Sequence, residues 1–163
     1  MVDVTFCVNG RELSADVPTS TTLADFLRDD LRLTGCRVSC DGGVCGSCTV
    51  LVDGMPVAAC STFAFEIDNS SIETIEGLAA PDGRLHPVQQ AFLQTDAFQC
   101  GFCTSGFILS VKALLKMHPS PDEGIIREWL KANICRCTGY KSIIEATRLA
   151  GVMLEARTDA QGA

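Results

Sequence analysis

Eight of the ten cysteines in this sequence fall into two groups of four. The first group follows the pattern C-x4-C-x2-C, with its fourth member after eleven further residues: Cys40, Cys45, Cys48 and Cys60. Plant-type [2Fe–2S] clusters use this spacing, because three thiolates on one tight loop and a fourth from a neighbouring segment hold two irons. The first group therefore predicts an iron–sulfur cluster.

The second group combines C-x2-C with C-x-C: Cys100, Cys103, Cys135 and Cys137. Four thiolates can hold a second [2Fe–2S] cluster. Zinc is the alternative at this second site, although C-x-C is one residue shorter than the spacing of common zinc sites. A Rieske centre needs two histidines beside two cysteines, and neither His86 nor His118 lies near a cysteine pair. Two clusters in one small chain predict a protein that transfers electrons.

Composition and charge exclude several other classes of protein. Hydrophobic residues make up 47% of the 163 residues, which is typical of a folded chain. No apolar run approaches the roughly 18 residues that a membrane span needs, and the N-terminus lacks the basic segment of a secretory signal. We therefore expect a cytoplasmic protein with no membrane span. Disulfides are the alternative use of many cysteines, but they belong to oxidising compartments. The net charge of −7 predicts no nucleic-acid partner.

The first half of the chain has the pattern of a small sheet, and we predict a first domain over residues 1–78. The predicted strands cover residues 2–8, 13–17, 49–52, 55–60 and 71–75. Asn9-Gly10 and Asp53-Gly54 are strong hairpin turns between them. A short amphipathic helix is predicted over 23–31, capped by Ser20 or Thr21.

The second half has the pattern of four helices, and we predict a second domain over residues 79–163, which makes the fold class α+β. The turn-rich segment 79–87 separates the halves. The first predicted helix begins at Pro87, and the second covers 104–117. The third follows a cap at Ser120 with Pro121 in its first position, and the fourth covers 141–155.

This frame brings each group of cysteines together. Because the chain turns back at Asp53-Gly54, the predicted strand over 55–60 returns Cys60 to the loop that carries the other three cysteines of its group. Glycines in that loop (Gly42, Gly43 and Gly46) let it curl so that N–H groups point at sulfur. The second group lies at a helix N-terminus and between two helices, where the helix dipole favours an anionic cluster.

Three strings in fixed order carry a resemblance to a known family: GCRVSCDGGVCGSCTVLVDG (35–54), QCGFCTSG (99–106) and NICRCTGY (133–140). Over about residues 2–156, the chain resembles the iron–sulfur subunit of the molybdenum hydroxylases, a family that contains xanthine dehydrogenase, aldehyde oxidoreductase and aerobic carbon monoxide dehydrogenase. The resemblance implies an N-terminal β-grasp domain of the plant-type ferredoxin kind, followed by a C-terminal four-helix bundle that binds the second [2Fe–2S] cluster.

The resemblance also implies a function and partners. The chain is expected to be the electron-transfer subunit of a molybdopterin-dependent dehydrogenase or hydroxylase, with the catalytic site in another subunit. A large partner subunit would hold molybdenum on a molybdopterin dinucleotide, and a medium subunit with FAD, or a cytochrome, would take the electrons. Nothing in this chain specifies the substrate or the final acceptor.

The resemblance implies roles for site residues at the matching positions of this chain. The second group of cysteines matches the cluster nearer molybdenum, and the first group matches the cluster nearer the exit. Gln99 and Cys137 match positions that lie beside the pterin in relatives, where its amino group can hydrogen-bond a cluster ligand.

Three residues need separate interpretation. Many relatives have C-T-P-G where this chain has Ser105, which restores a backbone N–H and is expected to loosen the helix start. Cys36 lies four residues before Cys40 and is an alternative ligand, although the C-x4-C-x2-C pattern is complete without it. Cys7, on a strand, is expected to be a small half-buried hydrophobic residue.

A second functional class is a free-standing ferredoxin-like carrier. Such a carrier needs only one cluster domain with a charged docking surface. The added helical domain, with a cluster of its own, favours a permanent place between two redox sites.

Overall fold

A five-stranded sheet forms the first half of the protein in a computed structural model that describes residues 1–161, with side chains through Arg157. The strands are β1 (Val2–Val8), β2 (Arg11–Val17), β3 (Thr49–Val52), β4 (Met55–Ala58) and β5 (Ser71–Glu73). Their order is β2-β1-β5-β3-β4, with β1 and β5 parallel and the other pairs antiparallel. This is the predicted β-grasp sheet.

Both predicted hairpin turns are present. Asn9 and Asp53 have φ of 51° and 50°, and the glycines that follow them have φ of 78° and 83°. Two successive residues with positive φ form the type I′ turn that matches the twist of the flanking strands.

The predicted helix over 23–31 is wrong in its form. Thr22, rather than Ser20 or Thr21, caps α1 (Leu23–Asp25), and a wider π-helical turn follows over Phe26–Asp30. The N–H of Leu31 donates to the carbonyl oxygen of Phe26 at 3.2 Å, an i to i+5 hydrogen bond. The wider turn lets consecutive Phe26 and Leu27 both pack into the core under the sheet.

Four helices form the second half: α2 (Pro87–Gln94), α3 (Thr104–Met117), α4 (Glu123–Leu130) and α5 (Lys141–Gln161). The prediction for α3 is confirmed at both ends, and Pro87 is the first residue of α2 as predicted. The predicted cap of α4 is wrong, because the Asp122 side chain, rather than that of Ser120, accepts the N–H of Ile125 at 2.8 Å. The backbone of α5 continues beyond the predicted end at residue 155.

Two hydrophobic cores lie on opposite faces of the sheet, and β3 contributes to both. Val50 belongs to the core beneath α1, whereas Leu51 belongs to the core of the helices. Since successive side chains of a strand point to opposite faces, β3 is covered on both sides. A half-buried ion pair between Lys112 of α3 and Glu73 of β5 adds to this packing. The two halves therefore form one packed unit.

None of the helices in residues 1–161 combines the length and apolar character that a membrane crossing requires.

Candidate iron–sulfur centres

The cysteines assemble in the two predicted groups, which we name the sheet site and the helix site. The sheet site contains Cys40, Cys45, Cys48 and Cys60, and the helix site contains Cys100, Cys103, Cys135 and Cys137. All ten cysteines of the chain are free thiols in the structure, and none forms a disulfide bond.

Thiols in both sites meet in pairs. In the sheet site Cys40 contacts Cys45, and Cys48 contacts Cys60. In the helix site the Sγ atoms of Cys100 and Cys137 lie 3.7 Å apart, and the thiol of Cys103 contacts that of Cys135. Among the side chains that the structure describes, through Arg157, no three of His, Cys, Asp or Glu are grouped to hold a single metal ion. Two pairs of thiolates per site fit a two-iron core, which takes two protein ligands at each iron.

The loop of the sheet site directs backbone N–H groups at sulfur. Val44 and Cys45 donate to Cys40 Sγ at 3.4 Å each, and Gly43 donates to Cys60 Sγ at 3.3 Å. Hydrogen bonds from backbone N–H groups, the largest from Cys45, lower the pKa of Cys40 to about 6. The loop therefore favours a negatively charged sulfur before any metal is present.

Gly43 and Gly46 have φ of 71° and 68°, the left-handed region that favours glycine. Gly42 is not left-handed, and the third left-handed residue of this loop is Asp41, with φ of 49°. The backbone N–H of Gly42 nevertheless contributes to the lowered pKa of Cys40.

Cys60 returns to the loop as predicted, but by a different element. β4 ends at Ala58, and Cys60 lies in a short 3-10 turn over Ala59–Ser61 rather than at the end of a strand. Its N–H donates to Cys48 Sγ at 3.5 Å. The turn directs Cys60 toward the loop. A strand that continued to residue 60 would instead extend straight along its partner strand.

The helix site is built at helix ends. Cys103 is the N-cap of α3, and the segment with Cys135 and Cys137 joins α4 to α5. Tyr140 braces this segment: its hydroxyl accepts the N–H of Cys135 and donates to the carbonyl oxygen of Asn133, both at 3.1 Å.

Exposure differs between the thiol pairs. Cys48 and Cys60 are 1% and 6% exposed, whereas Cys40 at the edge of the same site is exposed. In the helix site Cys135 is 9% exposed, while Cys100 and Cys137 lie on the surface. Each site therefore has one outward edge that another redox group can approach.

The two sites are joined directly. The N–H of Ile134, next to Cys135, donates to the carbonyl oxygen of Cys45 at 2.9 Å. The buried side chain of Asn133 donates to the carbonyl oxygen of Gly46 at 2.9 Å. The sequence patterns did not predict these contacts of Asn133 and Ile134, because no local spacing indicates a contact 87 residues away.

Ser105 has a contact that the sequence did not predict. Its hydroxyl donates to the carbonyl oxygen of Gly35 at 2.7 Å, which ties the first turn of α3 to the sheet-site loop. α3 still begins at Thr104. The expected loosening of this helix start is therefore countered by a new hydrogen bond.

The two remaining cysteines do not belong to the thiol pairs. Cys36 is buried, its Sγ donates to the carbonyl oxygen of Cys48 at 3.4 Å, and burial raises its pKa to about 12. Cys7 is half-buried on β1. Because the Cys36 thiol is directed at a carbonyl oxygen rather than paired with another thiol, the geometry favours the four-cysteine set without Cys36.

Comparison with known proteins agrees with this geometry. Residues 6–74 match the family model of a 2Fe-2S iron-sulfur cluster binding domain, and residues 74–148 match that of a [2Fe-2S] binding domain. The 6-hydroxypseudooxynicotine dehydrogenase complex subunit beta of Paenarthrobacter nicotinovorans is 53% identical over 141 residues, which cover 86% of this chain and 88% of that protein.

Solved structures give the same result. Quinoline 2-oxidoreductase from Pseudomonas putida 86 superposes with a TM-score of 0.90 at 39% identity, covering 96% of each chain. Aldehyde oxidoreductase from Desulfovibrio gigas superposes with a TM-score of 0.91 at 40% identity, covering 96% of this chain but only 18% of that one.

This chain belongs to the iron–sulfur subunits of the molybdenum hydroxylase family. The iron–sulfur subunit transfers electrons within a molybdenum oxidoreductase, and the catalytic site lies in another subunit. The comparisons favour this role over a free-standing ferredoxin. They also favour [2Fe–2S] over zinc at the helix site, because that part of the subunit matches a [2Fe-2S] binding domain.

Proposed function

We propose that the iron–sulfur subunit takes electrons one at a time from a molybdenum centre on a large partner subunit. The electrons pass through the helix site and then the sheet site to FAD on a medium subunit or to a cytochrome. A [2Fe–2S] group, when bound, supplies one-electron redox chemistry at each site. The residues of this chain hold the two groups, set the distance between them and keep one edge of each near the surface.

Ligand roles are part of this proposal. The eight cysteines of the two sites are proposed as the metal ligands, supported by their pairwise contacts and by the N–H groups directed at Cys40 and Cys60. Gln99 and Cys137 are proposed to face the molybdopterin dinucleotide of the large subunit. Both are exposed, and they lie at the outward edge of the helix site beside Cys100.

The main observation in support of an electron relay is the hydrogen bond from Ile134 to Cys45. It connects a residue adjacent to one proposed ligand, Cys135, with a proposed ligand of the other site. A rigid contact of this kind holds the two metal groups at a fixed separation, which a relay requires and two independent carriers do not.

The substrate is proposed to bind the large subunit. Relatives with similar iron–sulfur chains are named for hydroxypseudooxynicotine, quinoline and aldehyde. One electron-transfer module therefore serves several oxidations, and specificity belongs to the subunit that holds molybdenum. We further propose a cytoplasmic location, where thiols stay reduced. We also propose a division into domains over 1–78 and 79–163, supported by the two family models, which meet at residue 74.

Metal analysis and co-purification test the proposal. The purified complex should contain about four irons and four acid-labile sulfides per iron–sulfur subunit, and two distinguishable EPR signals after reduction. A large subunit with molybdopterin should co-purify, together with a flavin or cytochrome subunit. Zinc in place of half the iron would contradict the helix site, and a monomer that shuttles electrons without partners would contradict the subunit role.

A further inference from the structure

Thr138 contacts a sulfur atom of the helix site in two ways. Its Oγ1 donates to Cys135 Sγ at 3.1 Å, and its backbone N–H donates to the same sulfur at 3.4 Å. Among the hydrogen bonds of the described residues, this is the one case in which a side-chain hydroxyl donates to a cysteine sulfur. The sulfur atoms of the sheet site accept backbone N–H groups instead.

Neighbouring residues fix the direction of the Thr138 hydroxyl. The backbone N–H of Tyr140 donates to Thr138 Oγ1 at 3.2 Å, so the hydroxyl proton is free to point at sulfur. Tyr140 itself is held in place, because its ring packs edge-on against Phe107 with centroids 6.0 Å apart and its hydroxyl binds the backbone on both sides of Ile134. The hydroxyl is therefore preorganised toward Cys135.

We propose that the Thr138 hydroxyl raises the reduction potential of the helix-site cluster by donating a hydrogen bond to the Cys135 sulfur. One-electron reduction adds one negative charge to the thiolate-bound group, and a donor aimed at a ligand sulfur stabilises the reduced form more than the oxidised form. Thr138 is thus a residue that acts through Cys135. The inference rests on the proposed ligand role of Cys135.

Redox titration of the intact complex, followed by EPR, tests the proposal. Thr138→Val replaces the hydroxyl by a methyl group of similar size, and Thr138→Ser keeps the hydroxyl. In Thr138→Val the equilibrium constant for reduction of the helix-site cluster should fall about tenfold, which is 59 mV for a one-electron couple. Thr138→Ser should stay close to wild type, and the sheet-site potential should stay unchanged in both.

Thr62→Val is the matched control. Thr62 lies two residues after Cys60, but its hydroxyl donates to the carbonyl oxygen of Ala58 rather than to sulfur. Neither potential should change in this variant. If the sheet-site potential in Thr62→Val shifts as much as the helix-site potential in Thr138→Val, removal of a hydroxyl changes the potential without a contact to sulfur. That result would overturn the proposal.

The remaining outcomes are also decisive. An unchanged potential in Thr138→Val, or an equal fall in Thr138→Ser, overturns the proposal. Thr138→Ala should repeat the result of Thr138→Val, and loss of iron from both variants would assign Thr138 a structural role instead. Iron analysis of Cys135→Ala distinguishes failure of the ligand assignment from failure of the Thr138 proposal. If Cys135 is not a ligand, that variant retains about four irons.

Discussion

The backbone N–H of Ile134 donates to the carbonyl oxygen of Cys45 at 2.9 Å, a distance typical of a well-formed hydrogen bond. Ile134 precedes one proposed ligand, and Cys45 is another, so a single hydrogen bond separates the two ligand segments. Asn133 reinforces the contact through the carbonyl oxygen of Gly46. The sheet site and the helix site are thus positioned by each other as well as by their own halves of the chain.

Substitution of Gly46 should weaken this contact. A Cβ at Gly46 would lie 2.4 Å from Asn133 Nδ2 and 2.5 Å from the carbonyl oxygen of Ala132. Overpacking of this kind typically costs about 1–3 kcal/mol, in addition to the strain of a positive φ. Gly46→Ala should therefore lower the denaturant midpoint of unfolding and slow electron transfer between the sites.

Gly83→Ala is the control for Gly46→Ala. Gly83 also has a positive φ, 84°, but nothing lies within 4 Å of an added Cβ. This variant carries the backbone strain without the clash. Equal loss of stability in the two variants would show that the contact between the sites is unimportant for the fold.

Removal of one ligand should remove one cluster. Cys45→Ala should lose the sheet-site EPR signal and about two irons, and Cys103→Ala should lose the helix-site signal and about two irons. Each variant should retain the other signal, because no cysteine is shared between the sites. Iron analysis combined with EPR on the reduced complex measures both effects.

The two remaining cysteines serve as controls for the ligand variants. Cys7→Ala and Cys36→Ala should keep the full iron content, since Cys7 lies on β1 and the Cys36 thiol is directed at a carbonyl oxygen. Loss of the sheet-site cluster in Cys36→Ala would show that the ligand set proposed here is wrong.

His86 should make stability depend on pH. Burial, followed by the positive charge of Lys112, lowers its pKa from 6.5 to about 4, and its neutral Nδ1 accepts the N–H of Val88 at 3.3 Å. Because the unfolded chain binds this proton more tightly, the stability contribution is complete above pH 6.5 and is lost as the pH falls toward 4.

His86→Asn keeps a capping side chain on α2 but does not titrate in this range. Denaturant midpoints measured at intervals downward from pH 7.5 should fall more steeply for wild type than for the variant below about pH 6.5. Parallel curves would contradict the assignment of this pH dependence to His86.

Local patterns predicted much of this fold. The hairpin of β1 and β2 and both ends of α3 follow from alternation, turn residues and helical periodicity in adjacent residues. The helix after residue 22 was wrong because burial of both Phe26 and Leu27 requires a π-helical turn, which no local pattern specifies. The start of α4 moved to Asp122 because several residues before it can act as caps.

The same limit applies to the site. Spacing predicts the two groups of cysteines, and the thiols within each group contact one another in pairs. The contact of Asn133 with Gly46 and the hydrogen bond from Thr138 to Cys135 depend on the packed structure. These contacts set the distance between the sites and the environment of their sulfur atoms, which spacing does not encode.

Rapid mixing of substrate with single-cluster variants of the complex determines the order of electron transfer. In the Cys45→Ala complex, substrate should still bleach the helix-site cluster, because that cluster is proposed to face molybdenum. In the Cys103→Ala complex, molybdenum should be reduced while the sheet-site cluster stays oxidised. Rapid reduction of the sheet-site cluster in Cys103→Ala, with an oxidised helix-site cluster in Cys45→Ala, would contradict the proposed order.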